Sequence, residues 1–324
     1  MIGYLTSYLS IPYIKNLAYK YKFLDNPNLR KQHTKPIPRI GGISLFIGYF
    51  TSLISFYFLS LNNDYLSENL KIFLVFIFAS SLFFFVGIID DLIKISARRR
   101  LVLQFLISSL TWLLGIKITI IDFNFYSEIL NTNLYLFLSW IVTTFWIVGV
   151  VNAINWIDGL DGLASSVSIL FMTGIIMFQH FNHNHLSIFI AIATISSCLG
   201  FLKYNNFPSK IVMGDGGSYL LGCNISLISI FVFWSNLQIS FDIKNLIILI
   251  VPLVFLSVPL IDMVYVVFSR LNSGLSPFYP DRRHLHHRLL NKGFSHKNTV
   301  KLITLFISIK ISLSSLVFLH LLTR

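Results

Sequence analysis

Ten apolar runs follow one another along the chain, each about 17 to 25 residues long, the length a helix needs to cross a hydrocarbon core. A soluble fold of 324 residues could not bury them: hydrophobic residues make up 55% of the chain and charged residues 12%, with a mean hydropathy of +0.74. The alternation of apolar and polar residues that a membrane barrel requires is missing, so the runs are read as helices. The expected fold class is an all-α polytopic membrane protein of about ten transmembrane helices. The spans are expected near 1–19, 41–61, 70–89, 101–121, 134–151, 163–181, 186–203, 218–236, 244–268 and 300–322. Met1 to Ile14 has no Lys or Arg ahead of its apolar run and no small-residue cleavage site follows, so a short first span is expected, cut short at Met1.

Between the runs the polar segments alternate in character. The loops at 20–40, 90–100, 152–162, 203–217 and 269–299, with Lys15 and Lys301 at span ends, hold all but five of the 25 Lys and Arg; those left over are Lys71, Lys117, Lys244, Lys310 and Arg324. Basic loops stay in the cytoplasm, which places these five loops inside and both termini outside. The net charge of +12 is therefore local, a basic face turned toward anionic headgroups or phosphorylated substrates. Nothing resembles a nucleic-acid module. Cys198 and Cys223 both fall inside apolar runs without metal-ligand spacing and are read as small hydrophobic packing residues.

The acids carry the chemistry. Asp25, Asp90, Asp91, Asp158, Asp161, Asp215 and Asp281 all fall on the expected cytoplasmic side, and Asp262 lies in the ninth run. Carboxylates crowded at one membrane face suit a cation site. In the polar island Asn152 to Ala164, NAINWIDGLDGLA, the residues Asn152, Asn155, Asp158 and Asp161 recur every three positions, which on a helix or its fraying end places them near one line. The third run ends in the adjacent pair Asp90-Asp91, followed by Lys94. Neighbouring carboxylates repel unless a cation sits beside them, so the pair points to a metal or a proton-transfer role.

Three further stretches complete the polar inventory. Met213 to Gly222, MGDGGSYLLG, sets Asp215 among glycines at the start of a helix, where backbone N–H groups and open space admit a phosphate; helix capping explains the same residues. The loop Asp25 to Gly42, DNPNLRKQHTKPIPRIGG, is a proline-stiffened path that holds Lys35 and Arg39 at the bilayer surface, a site for a lipid phosphate or a plain basic connector. The last loop packs His284, His286 and His287 among arginines in SPFYPDRRHLHHRL. With no Cys and no His-Glu-x-x-His pairing, an anion such as a diphosphate fits it better than a transition metal. Asp262 either lines the cytoplasmic cavity or pairs with Arg270.

Asp90-Asp91 after an apolar Val-Gly run, NAINWIDGLDGLA, GDGGSYLLG and HLHHRLL, in this order and on one side, resemble the motifs of the polyprenyl-phosphate N-acetylhexosamine-1-phosphate transferases, glycosyltransferase family 4. The first basic loop leans toward the WecA and TagO branch of that family. The resemblance covers nearly the whole chain and implies one integral membrane domain over 1–324, in the inner (plasma) membrane, with its active site at the cytoplasmic face. It implies that a polyprenyl phosphate, undecaprenyl phosphate by default, attacks the β-phosphorus of a UDP-N-acetylhexosamine and releases UMP. It also implies roles. Asp90 is the base or nucleophile and Asp91 its partner at the metal; Asn155 and Asp215 are ligands of Mg²⁺, with Mn²⁺ as a substitute. Asn152, Asp158, Asp161, His284, His286 and His287 fall to the UDP-sugar, and Lys35 and Lys94 to the lipid phosphate. Membrane lipid is a partner, a homodimer is compatible, and nucleic acid is not expected. N-acetylglucosamine is the default sugar, with deoxy-hexosamines and phospho-MurNAc-pentapeptide as alternatives. A proton-coupled transporter is the alternative class, and only Asp262 stands where its midplane site would require an acid.

Overall fold

A computed structural model describes residues 1–27, 35–60, 64–119, 132–182, 185–234 and 243–322. In chain order these form α1 (Ile2–Lys20), β1 (Leu24–Asp25), β2 (Ile37–Pro38), α2 (Gly42–Leu59), α3 (Asp64–Ile93) and α4 (Ala97–Leu113). There follow α5 (Thr132–Ile157), α6 (Leu163–Asn182), α7 (His185–Asn205), α8 (Gly214–Ser229), α9 (Ile243–Phe255), α10 (Ser257–Asn272), the short α11 (Leu285–Asn291) and α12 (His296–Leu322).

Helix α8 is the axis of the bundle. It packs on α3 and α5 most extensively and on α2, α6 and α7 as well, and from Gly214 to Ser229 every residue but Asp215 is buried. Its composition explains this placement. Gly214, Gly216, Gly217 and Gly222, with Ser218, Ser226 and Ser229, leave so little side chain that neighbouring backbones come close, the usual way helices associate where no water drives them together. A Cβ on Gly42 of α2 would lie 2.2 Å from the Gly217 nitrogen, so α2 and the start of α8 touch backbone to backbone. The polar side chains of α8 are satisfied from its neighbours: Ser80 donates to Asn224 (2.5 Å), and the Trp146 indole donates to Ser229 (2.9 Å).

Around this axis α1 lies against α2 and α7, α6 against α7 and α12, and α10 against α5. Among the described residues six helices are long and apolar enough to cross a membrane, and α9 with α10 adds a seventh if the bent pair is one span. The expected count of ten is therefore not established. Helices α1, α4 and α6 fall on the runs at 1–19, 101–121 and 163–181, but α1 is not apolar enough, α4 stops at Leu113 after 17 residues, with 120 and 121 outside the described residues, and α6 is apolar only over Leu163–Gln179. The run at 244–268, expected as one helix, is broken at Leu256 with a bend of 68°. Pro259 is the cause: a straight helix would leave the Phe255 carbonyl facing a residue with no N–H, whereas in the first turn of α10 that missing donor costs nothing.

The first basic loop is extended as its prolines require, but it also closes on itself. β1 and β2 pair antiparallel, Leu24 with Pro38 and Asp25 with Ile37; Asn28 to Thr34 lie outside the described residues. The returning strand is sewn to the segment before α8, with Val212 N donating to Pro38 O (2.8 Å), Gly41 N to Val212 O (3.0 Å) and Gly42 N to Met213 O (2.7 Å). Arg39 is thereby set beside the start of α8.

Candidate active site

Successive residues on a helix are turned by about 100°, so Asp90 and Asp91 at the end of α3 face different ways. The Asp91 side chain is wholly enclosed. It accepts from the backbone N–H groups of Asp215 and Gly216 (3.0 Å each) and from Arg39 Nε (2.8 Å). It thus caps the N-terminus of α8 from another helix. Gly214 makes room for it: its φ is +74°, and a Cβ there would lie 2.5 Å from Asp91 Oδ2. Gly87, one turn before Asp91, is needed for the same approach, since its Cβ would meet the Asp215 carbonyl at 2.4 Å.

Asp90 turns instead to Arg100 at the start of α4, which holds Asp90 Oδ2 at 2.6 Å and lies 3.8 Å from Asp215 Oδ2. The carboxyl groups of Asp90 and Asp215 lie against each other beneath this guanidinium. Asp215 is the meeting point. Its Oδ1 accepts from Asn155 Nδ2 (2.8 Å), which also donates to Ser218 Oγ (2.9 Å), and its Oδ2 accepts from Arg39 Nη2 (3.2 Å). Asp91 is saturated by protein donors, while the Asp215 side chain keeps 15% of its surface exposed, and Asp215, Asp90 and the Asn155 amide offer hard oxygen donors close together. No group of three or more His, Cys, Asp or Glu that could hold a metal stands among the described residues. Such an open site fits Mg²⁺, which is commonly held by one or two carboxylates and completed by water and substrate phosphates.

The cavity has a volume of about 910 Å³. Lys15, Lys35, Arg39, Lys94 and Lys210 stand in its walls, with Asp25, Asp158, Asp161, Asp281, His287 and His296. Lys35, Arg39, Lys94, Asp158, Asp161 and His287, all singled out from the sequence, therefore share one space. Lys94 reaches it from a left-handed backbone (φ 53°) just past α3, where its N–H donates to Asp90 O (2.9 Å). The guanidinium of Arg39 would lose charge on burial, but the carboxylates of Asp215, Asp91 and Asp25 more than offset this and hold its pKa above the ordinary value.

The four polar residues of NAINWIDGLDGLA are not in one line. Only Asn152 and Asn155 lie on α5, which ends at Ile157; Asp158 and Asp161 lie in a turn that closes at Gly162 with φ +76°. Asn152 faces α4, donating to Gln104 Oε1 (2.7 Å), and does not line the cavity. Asp161 accepts from Ser209 N (3.0 Å), and Asn205 from Gly162 N (2.9 Å), which ties the turn to the end of α7. Burial, with repulsion from Asp215, Asp161 and Asp91, drives the Asp158 pKa well above the carboxylate range despite Arg39. A neutral Asp158 can donate a hydrogen bond.

The histidine loop is organised by Asp262, whose partner is not Arg270. Asp262 accepts from Leu285 N (2.7 Å) and pairs with His284 Nδ1 (2.9 Å), so it caps α11 and fixes one imidazole. Arg270 grips Asp281 with two nitrogens (3.0 and 3.1 Å), and this holds the Asp281 pKa below its usual value in spite of burial. His286 is buried with its ring against Gly159, where a Cβ would lie 2.1 Å from Nε2. Burial first, then the neighbouring His287, His284 and His296, push its pKa well below the ordinary value; burial, His284 and Arg282 lower that of His287. His287 reaches the cavity directly; His284 and His286 stand behind it, the three rings 4.3 and 5.7 Å apart in sequence.

Arg100, Asn205 and His296 join the site without having been singled out from the sequence. Arg100 carried a signal: three arginines open α4, at the helix end where positive charge is disfavoured unless a nearby anion repays it. His296, at the start of α12, stacks on Phe207 (4.2 Å between centroids) at the cavity wall, and no spacing in the chain announces that contact.

Similarity to known proteins agrees with the motifs. The sequence model of a family described as glycosyl transferase family 4 matches residues 73–233. A probable undecaprenyl-phosphate N-acetylglucosaminyl 1-phosphate transferase of Bacillus subtilis (strain 168) is 31% identical over 305 residues, covering 94% of this chain and 80% of that one. The undecaprenyl-phosphate alpha-N-acetylglucosaminyl 1-phosphate transferase of Escherichia coli O157:H7 is 29% identical over 316 residues (93% and 78%). That of Yersinia pestis is 31% identical over 301 residues (90% and 76%).

Proposed function

The chain belongs to glycosyl transferase family 4, and from that premise we propose that it transfers N-acetylglucosamine 1-phosphate from UDP-N-acetylglucosamine to undecaprenyl phosphate. UMP leaves, and undecaprenyl-diphosphate-N-acetylglucosamine remains in the membrane, the first membrane step of a cell-envelope glycan. The names of the relatives support the substrates. The observation that carries the reading is the cavity, where lysines and Arg39 ring a set of aspartates at one end of an apolar bundle.

An oxygen of the lipid phosphate attacks the β-phosphorus of the donor as the bond to the UMP oxygen breaks, so positioning and charge neutralisation matter more than covalent chemistry with the protein. Lys35 and Lys94, both in the cavity wall, hold the lipid phosphate, and Asp90, fixed by Arg100, acts on it as base or nucleophile. Asp215 and Asn155 would hold Mg²⁺, which would supply neutralisation of the diphosphate and of the developing charge on the leaving group. Asp158 and Asp161 take the nucleotide, and His287, backed by His284 and His286, takes the diphosphate. Asp91 keeps the start of α8, and with it Asp215, in place.

A transporter would need a free acid near the midplane, and Asp262 is committed to His284 and α11 instead. Orientation of the cavity toward the cytoplasm of a plasma (inner) membrane follows from the basic loops. Purified protein with undecaprenyl phosphate, Mg²⁺ and a panel of UDP-sugars should release UMP fastest with UDP-N-acetylglucosamine. Release only with a deoxy-hexosamine donor would reassign the sugar, and no release with any donor would overturn the reaction.

A further inference from the structure

Arg39 is the one side chain among the described residues that contacts acids from three separate elements of the site. Its Nε holds Asp91 of α3 at 2.8 Å, its Nη2 holds Asp215 of α8 at 3.2 Å, and its Nη1 stands 3.8 Å from Asp25 of β1. The planar fork suits this bridging, because Nε and Nη2 present donors to Asp91 and Asp215 in fixed directions, whereas a lysine would offer one point charge to both. The hairpin is built to deliver it, since Arg39 N donates to Phe23 O (3.1 Å) and Val212 N donates to the adjacent Pro38 carbonyl.

The two carboxylates that Arg39 bridges are not equivalent. Asp91 is enclosed and has two backbone N–H donors besides Arg39, so it keeps its partners whatever enters the cavity. Asp215 Oδ2 has no backbone donor; it meets the cations Arg39 and, farther off, Arg100, and the Asp215 side chain keeps 15% of its surface exposed where Asp91 keeps none. The contact to Asp91 is also the shorter of the two. A divalent cation that takes Asp215 must meet a guanidinium already on that oxygen.

Resting on the reading of Asp215 as a metal ligand, we propose that Arg39 is a positioning residue that doubles as a resident counter-ion. Anchored on Asp91, it neutralises Asp215 when no cation is bound, and the incoming divalent cation displaces its Nη2. Anchored through Nε, the displaced arm stays in the cavity, where the anion it can meet is the donor's diphosphate. The acids thus remain assembled without metal, at the cost of a weaker grip on the metal alone.

The test is Mn²⁺ binding, followed by electron paramagnetic resonance of the free ion with purified protein and no substrate. R39Q removes the competing charge and keeps a polar side chain, so it should bind Mn²⁺ at least about fivefold more tightly than wild type, the low end of ordinary coupling between sites. R39K keeps a charge without the fork and should fall between the two; if R39Q does not fold, R39K against wild type decides. Equal or weaker Mn²⁺ binding in the variants, with wild type binding normally, overturns the role of Arg39 and leaves the metal reading intact. A wild-type protein that binds no Mn²⁺ yet releases UMP without divalent cation overturns both.

Discussion

Adjacent aspartates at the end of α3 do different work because a helix turns them apart. Asp91 is enclosed and bonded to two N–H groups of α8, so its removal should act through stability as well as rate. Asp91→Ala should cost about 1 to 2 kcal/mol, as for a lost helix cap, and thermal unfolding in detergent with and without substrate measures it. Asp215→Asn preserves shape but removes the charge of a carboxylate that is still partly exposed. Its unfolding temperature should stay near wild type, while the rate falls by about 10² or more and the Mg²⁺ concentration for half activity rises. A loss of activity in Asp215→Asn with no change in Mg²⁺ requirement would move Asp215 from metal to scaffold. The sequence showed that Asp90, Asp91 and Asp215 belong together, because acids are rare in this chain and these stand in basic loops. It could not show which of the adjacent pair is enclosed, since that depends on how α8 meets α3, a contact between residues more than a hundred positions apart.

At the scale of elements, short contacts between α2, α3 and α8 set the site. Gly87→Ala puts a methyl group against the Asp215 carbonyl and Gly216 Cα, both backbone, so α8 must shift. Such overpacking costs about 1 to 3 kcal/mol. The rate should suffer more than stability does, because the shifted backbone carries Asp215; kcat measured beside the unfolding temperature separates the two effects. Helix α11 offers a pH test. The unfolded chain protonates His286 near pH 6.5, whereas the folded chain resists protonation until well below that value. Below about pH 6.5 the unfolded state therefore binds more protons, and His286 lowers stability progressively as pH falls, by at most about 1.4 kcal/mol per unit. His286→Gln should flatten the stability profile between pH 6.5 and 5 and leave pH 7.5 to 8.5 unaffected, as unfolding scans across pH would show. The apolar runs made the helices legible. The break at Leu256 was less so, because Pro252 and Pro259 can be read as kinks in one span, and the hairpin before α2 depends on pairing with Val212 and Met213, far along the chain.

For the whole molecule, the physical question is which way the cavity faces. The orientation proposed from the charge sorting would put the loops that build it, including Asp158, on the cytoplasmic side, where the cavity lysines would meet lipid phosphates and a soluble nucleotide would enter from water. Bundle geometry alone is symmetric with respect to the two sides, so orientation must be read in the intact membrane. The chain is well suited to that measurement: Cys198 and Cys223 are both fully buried, so wild type should react little with a membrane-impermeant maleimide. Ser276→Cys places a thiol on the exposed loop that follows α10, next to Pro277, whose carbonyl accepts from Arg270. Leu59→Cys places one at the opposite end of the bundle, at the close of α2, where the side chain is 80% exposed. In intact cells the reagent should label Leu59→Cys and spare Ser276→Cys, and in inside-out vesicles the pattern should reverse. Labelling of Ser276→Cys from outside would put the donor cavity on the side that lacks nucleotide, and would overturn the orientation and the proposed reaction together.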